Sequence, residues 1–223
     1  MADANQPNVA DSLIVIHEVV TRGLDVAAER AAEFAKSGFP DEATADGFTH
    51  YVRALAYVLD AHHLTEDELA FQDFRDKLPA LPVARLMEQH QDMMPLLVEI
   101  RALLGQIEAG QSLDANLAAL ADTLERLDAI WQPHIALEEE HFDRRRIADL
   151  MPTEEQSRLI GKYTEHSQRL SGPPEFAVPF ILYNLPPEAR AQLAASMPKE
   201  ITDHLVPVVW KAKWGTMQPF LLE

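Results

Sequence analysis

Four long stretches of this chain repeat apolar residues at intervals of three and four, the pattern of an amphipathic α-helix. Prolines and glycines fall in the short segments between them. The predicted helices cover residues 11–36, 41–77, 83–109 and 113–150. Asp11 or Ser12 is expected to cap the first helix. Four such helices joined by short connections predict an all-α fold, an up-down-up-down four-helix bundle.

Two prolines lie inside the predicted third and fourth helices, at Pro95 and Pro133. Proline removes a backbone hydrogen bond and bends a helix, so each is expected to kink its helix. Alternatively, the fourth helix begins afresh at Pro133.

The pattern changes after residue 150, where prolines become frequent and the apolar stretches shorten. Shorter helices are predicted at residues 154–170, 175–184, 187–196 and 199–219. Trp210, Trp214 and Phe220 make the end of the chain apolar, so we expect it to pack on the bundle. The predicted organisation is a flexible tail (1–10), the bundle (11–150) and a helical C-terminal extension (151–223).

Composition narrows the class of protein. Of the 223 residues, 47% are hydrophobic, none is cysteine, and the net charge is −17. Thiolate metal sites and disulfides are therefore excluded, and such an acidic surface repels nucleic acid and anionic lipid. No apolar run is long enough to span a membrane. The first residues lack a secretory signal pattern, so a cytoplasmic location is expected.

The candidate chemistry lies in two His-x-x-x-Glu pairs, His62 with Glu66 and His134 with Glu138. This spacing places both side chains of a pair on one face of a helix. His17 and His90 lie on or beside the apolar faces of the other two helices. Six such ligands suit a dinuclear centre, and imidazole with carboxylate suits iron, manganese or zinc. A single pair is more often a surface ion pair, but two pairs on separate apolar-faced helices favour a metal.

Three further histidines are possible additional ligands. His141 shares the helix face of His134 and Glu138. His63 is about 100° around the helix from His62, so the two are not expected to reach the same ion. His204 belongs to the C-terminal extension, which could lie over the site.

In their order along the chain, these residues resemble the hemerythrin-like, or HHE cation-binding, family over about residues 10–150. The motifs are His17, His62-His63-x-x-Glu66 with Phe71 downstream, Glu88-Gln89-His90, and His134-x-x-x-Glu138. The resemblance implies a bundle around two non-haem iron ions joined by an oxo or hydroxo bridge. It also implies that Glu66 and Glu138 bridge the ions. By the same resemblance, the terminal ligands would be His17 and His62 on one ion and His90 and His134 on the other.

The chain departs from the oxygen-carrying members of that family in its third helix. Those members have a further histidine one turn from His90, where this chain has Leu86 and Met94. The departure disfavours simple reversible oxygen carriage. It leaves a position for His141, His63, His204 or water.

The expected function is that of a di-iron protein that binds or senses oxygen, nitric oxide, peroxide or iron itself. Its partner would be a small diatomic ligand or peroxide, and the sequence indicates no particular protein partner. One alternative is a di-iron peroxidase or catalase-like enzyme. Another is an iron store, or an interaction domain whose stability depends on metal.

Overall fold

The computed structural model describes residues 7–222, and every regular element within that range is helical. The all-α prediction is therefore confirmed. The four long helices are α1 (Val9–Ser37), α2 (Glu42–Thr65), α4 (Val83–Glu108) and α5 (Leu113–Glu139). A π-helical turn (Glu66–Ala70) and the short helix α3 (Phe71–Phe74) follow α2.

The first helix begins earlier than Asp11 or Ser12, so the predicted cap is wrong. The side chain of Asn8 accepts a hydrogen bond of 3.0 Å from the backbone N–H of Ala10 and caps α1. Val9 and Ala10 are fully buried, which explains why the helix includes them. Residues 1–6 of the predicted tail lie outside the described residues.

The second and fourth predicted helices are both interrupted. The second is divided by the π-helical turn, and its last α-helical residue is Phe74 instead of Lys77. The fourth ends at Glu139 and not at Leu150, because Asp143 caps a separate helix, α6 (Arg144–Leu150), by accepting from the N–H of Arg146. Both α4 and α5 continue through their internal prolines.

The four long helices contact one another in a closed sequence: α1 with α2, α2 with α4, α4 with α5, and α5 with α1. Each contributes to one apolar cluster, for which Leu24, Leu55, Leu97 and Leu124 are examples, all at most 1% exposed. A second apolar cluster lies towards the start of α1 and includes Leu13, Phe71, Leu86, Phe142 and Ile147. Burial of such side chains supplies most of the stabilisation of a helical fold, at about 2 kcal/mol each.

The rest of the chain consists of shorter helices, several of which pack on α2 and α1 while the others pack on one another. They are α7 (Thr153–Leu170), α8 (Pro174–Tyr183), α9 (Pro187–Ser196), a π-helical segment (Ile201–Val209), α10 (Lys211–Trp214) and a 3₁₀ segment (Gly215–Phe220). The single helix predicted over 199–219 is therefore wrong in form, since three kinds of helix share that range. Trp214 and Phe220 are buried. None of the helices described is long and apolar enough to cross a membrane.

Candidate metal centre

Buried histidines and glutamates from all four long helices and the π-helical turn meet at one place in the fold. They are His17 from α1, His62 and His63 from α2, Glu66 from the π-helical turn, His90 from α4, and His134 and Glu138 from α5. Each is at most 5% exposed. The structure thus brings together all six residues of the predicted ligand set, with His63 in addition.

This polar layer lies between the two apolar clusters. In α1 it falls between Leu13 of the second cluster and Val20 of the first, and in α4 between Leu86 and Met93. Both α1 and α4 therefore bury apolar side chains on either side of their histidine. The π-helical turn begins at Glu66 itself, and such widened turns frequently mark functional positions in helices.

The ring nitrogens and carboxylate oxygens approach one another closely. Glu66 Oε1 lies 3.4 Å from His62 Nε2, and Glu66 Oε2 lies 3.5 Å from His90 Nε2. Glu138 Oε2 lies 3.2 Å from His17 Nε2 and 3.5 Å from His134 Nε2. Each glutamate therefore faces histidines from two different helices.

Three histidines are held from outside the cluster through Nδ1. His17 Nδ1 donates to Glu139 at 2.9 Å, and His90 Nδ1 donates to Asp67 at 2.8 Å. Nδ1 of His134 lies 3.4 Å from the side-chain oxygen of Gln89. A carboxylate can only accept, so it places the proton on Nδ1 and leaves Nε2 as a lone-pair donor. This is the arrangement that orients histidine ligands towards a metal.

Burial keeps most of these imidazoles neutral. It holds the pKa of His62 and His63 well below the usual value, and neighbouring imidazoles add to the effect. Burial also lowers the pKa of His134 to about 4. For His17, burial works to lower the pKa, but Glu138 and Glu139 outweigh it and raise that pKa. Neutral imidazole is the form that binds a metal.

The pKa values of the two buried glutamates are shifted in opposite directions. Burial raises the pKa of Glu66 well above its usual value, and the charge of Glu138 adds to that rise. Burial also works to raise the pKa of Glu138, but the close approach of His17 and the other imidazoles lowers it overall. A cation beside both groups would favour the carboxylate form of each, since an opposite charge stabilises the ionised state.

Unpartnered atoms show that these residues suit a bound cation. Within the described part of the chain, all four carboxylate oxygens of Glu66 and Glu138 are buried without a hydrogen-bond partner, as is Nε2 of both His17 and His62. Leaving such atoms unsatisfied is costly, and buried polar groups are normally paired or coordinate metals. The donor set of imidazole nitrogen and carboxylate oxygen suits iron, manganese or zinc.

The three histidines predicted as possible additional ligands have different surroundings. The ring of His63 stacks on that of His90 with 4.0 Å between centroids, and neither of its nitrogens has a hydrogen-bond partner among the described residues. His141 is half-buried and donates from Nδ1 to the carbonyl of Leu137, outside the cluster. His204 is exposed on the π-helical segment and does not reach the cluster.

Several residues that shape the site were missed by sequence reasoning. Trp131 lies against four of the histidine rings at centroid distances from 5.6 to 6.0 Å and donates to Thr21. Glu139, Asp67 and Gln89 hold the imidazoles from outside. Each of these three directly follows or precedes a predicted ligand in the sequence, which was the available signal.

A comparison with protein families matches residues 8–144 to the Hemerythrin HHE cation binding domain, which covers more than half of the chain. The comparisons of this chain with curated proteins and with solved structures found no match. The matched range contains all seven residues of the buried cluster. This chain therefore belongs to the hemerythrin HHE cation-binding domain family.

Proposed function

We propose that the chain is a di-iron protein that binds or senses a small ligand such as oxygen, nitric oxide or peroxide. One observation carries the two-ion part of this proposal. His17, His62, Glu66 and Glu138 form one group of potential ligand atoms within 4.8 Å of one another, and Glu66, His90, His134 and Glu138 form a second. The two groups share both glutamates, as bridging carboxylates would require.

The proposed ligands follow from these groups. His17 and His62 would be terminal on the first ion, and His90 and His134 on the second, with Glu66 and Glu138 shared. We assign His63 as a third imidazole on the second ion, because it forms its own group with His90 and His134. His63 would then take the place of the histidine that the third helix lacks.

Iron is the proposed metal, with zinc and manganese as the alternatives. Bound here, iron would supply a redox-active centre able to bind small oxygen- or nitrogen-containing ligands. The protein's own residues would hold Nε2 of three histidines towards the centre and exclude bulk water from it. The acidic chain also favours accumulation of cations near its surface.

The proposal includes the organisation of the chain. Helices α1, α2, α4 and α5 would run up, down, up and down as the metal-binding bundle of residues 11–150. Residues 151–223 would be an extension of that bundle. Their contacts with α2 and α1 support this division.

The decisive experiment is to measure metal content and optical spectra of protein produced with iron and purified without chelator. We expect about two iron ions per chain and absorption that changes when azide, nitric oxide or peroxide is added. The Glu138→Gln variant should lose at least half of the iron, because one bridging carboxylate is removed. Glu140→Gln is the matched control, since Glu140 is exposed two residues away, and it should retain the wild-type iron content.

Equal iron content in Glu138→Gln and wild type would remove Glu138 from the ligands, and absence of iron from the wild type would overturn the proposal. A peroxide assay on the loaded protein then separates the functional alternatives. Repeated turnover that is lost in His62→Ala would indicate an enzyme. Iron uptake without any ligand-dependent spectral change would indicate storage or a structural metal.

A further inference from the structure

A cavity of about 500 Å³ lies between the long helices and the C-terminal extension. Helices α1 and α2 form one wall, and helices α7, α8 and α9 with the π-helical segment form the other. Its volume lies within the range of about 300–1,000 Å³ that is typical of small-molecule sites. The family match ends at residue 144, so it includes none of the second wall.

The lining of this cavity is mainly apolar and contains no Asp, Glu, Lys or Arg. Val58, Ile160, Val178, Leu193 and Trp210 supply large apolar surfaces. The polar side chains are hydroxyls, one amide, the indole of Trp210 and the imidazole of His62, and no Asp, Glu, Lys or Arg takes part. This is unusual in a chain in which 25% of residues are charged. A charged ligand would lose its hydration here without meeting an opposite charge.

The cavity has an exposed end and a buried end. Thr164, Gln168 and Ser196 are exposed and place polar groups at the rim. Val58 and His62 are buried at the inner end. Thr65 also belongs to the lining, and its hydroxyl already donates a hydrogen bond of 2.7 Å to the carbonyl of Ala61. That hydroxyl therefore needs no water molecule in the cavity as an acceptor. His62 belongs both to this lining and to the metal cluster.

We propose that this cavity is a binding site for a neutral, largely apolar small molecule, whose inner end lies against His62. The site goes beyond the proposed metal function and does not depend on which metal is bound. Its consequence is that the extension helps to form a second ligand site that adjoins the metal centre. The polar rim would contact any hydroxyl or carbonyl group at the outer end of the molecule.

The first test compares two fluorescent probes on the full chain. N-phenyl-1-naphthylamine is neutral, and 8-anilinonaphthalene-1-sulfonate has the same aromatic skeleton with an added sulfonate. Titrations are made in about 0.5 M salt, where the Debye length is only a few ångströms, so that the net charge of the protein does not decide the result. We expect saturable binding of about one neutral probe per chain, at least tenfold tighter than the anionic probe.

The second test fills the cavity. Val178→Trp and Ser167→Phe each add a large side chain to the lining from a different helix. Both should weaken binding of the neutral probe at least tenfold. Val208→Trp is the matched control, because Val208 is 62% exposed in the extension and outside the lining, and it should bind the probe within twofold of wild type.

Equal affinity of the wild type for the two probes would overturn the proposal. The proposal would also be overturned if a filled variant bound the neutral probe as tightly as wild type while retaining the wild-type circular dichroism spectrum. The probe comparison needs no variant, so it decides the matter if a filled variant fails to fold. Titrations of both metal-free and iron-supplied protein keep the two proposals separate, since probe binding without any iron uptake would reject only the metal function.

Discussion

At the scale of single residues, each group in the buried histidine and glutamate cluster shifts the pKa values of its neighbours. Three of its imidazoles have lowered pKa values because burial disfavours the cation. His17 instead has a raised pKa because two carboxylates approach it. Without a metal, these directions favour protonated His17 beside ionised Glu138, and neutral forms of Glu66 and of the other three imidazoles. A bound cation would change this pattern, because it favours neutral imidazole and ionised carboxylate at every ligand.

The lowered pKa of His134 predicts a loss of stability in acid for the metal-free protein. Its pKa falls from 6.5 in the unfolded chain to about 4 in the folded one. Between these values the unfolded chain binds more protons, so His134 gives full stability above pH 6.5 and loses it as the pH falls towards 4. The loss should approach about 3 kcal/mol.

Urea unfolding at pH 7 and pH 4.5 measures this effect. The fall in unfolding free energy between the two pH values should be smaller in His134→Gln by roughly 2–3 kcal/mol. His204→Gln, at an exposed position, should show the wild-type fall. The same fall in His134→Gln as in wild type would contradict the prediction.

At the scale of elements, α2 is the helix on which both parts of the chain meet. It contributes His62 and His63 to the cluster, and it also packs against α7, α8 and the 3₁₀ segment. Gly47 allows the last of these contacts, because a Cβ atom there would overlap the backbone carbonyl of Thr216. The absence of a side chain at Gly47 thus lets the end of the chain approach α2.

Gly47→Ala should destabilise the fold by about 1–3 kcal/mol, the usual cost of overpacking. Gly105→Ala is the matched control within α4, where a Cβ atom would meet nothing within 4 Å. It should stabilise the fold by about 0.5–1 kcal/mol, because alanine favours helix over glycine. Thermal unfolding monitored by circular dichroism measures both changes, and stabilisation by Gly47→Ala would show that the 3₁₀ segment does not pack there.

At the scale of the whole molecule, the buried histidine and glutamate cluster separates two apolar clusters and joins the four long helices. Any ion bound there contacts side chains that are distant in sequence, from His17 to Glu138. Binding to the folded chain alone stabilises it by mass action, by about 4 kcal/mol at a thousandfold excess over Kd. Metal removal should therefore lower the free energy of unfolding of the whole molecule.

Melting curves with and without metal test this expectation, with Zn²⁺ as a redox-inert probe. Excess Zn²⁺ should raise the Tm of metal-free protein by roughly 5–10 °C. His50→Ala should retain this rise, since His50 stacks on Phe176 away from the cluster. His62→Ala should lose most of it. An unchanged Tm in wild type would mean that the cluster does not hold this ion.

The sequence by itself determined the helical character of the chain and the positions of its main chemical groups. Helical periodicity and His-x-x-x-Glu spacing are local properties, so they indicated four long helices and the faces on which His62, Glu66, His134 and Glu138 lie. The ends of those helices were less predictable. Asn8 and Asp143 act as caps through single hydrogen bonds that a periodic pattern does not contain.

Only the tertiary structure decided which groups meet across helices. It placed His63 against His90, Asp67 behind His90, and Glu139 behind His17. It also brought the extension against α1 and α2 to enclose a cavity that reaches His62. These contacts depend on how helices pack and where each turn redirects the chain, and side chains far apart in sequence carry no local signal of that packing.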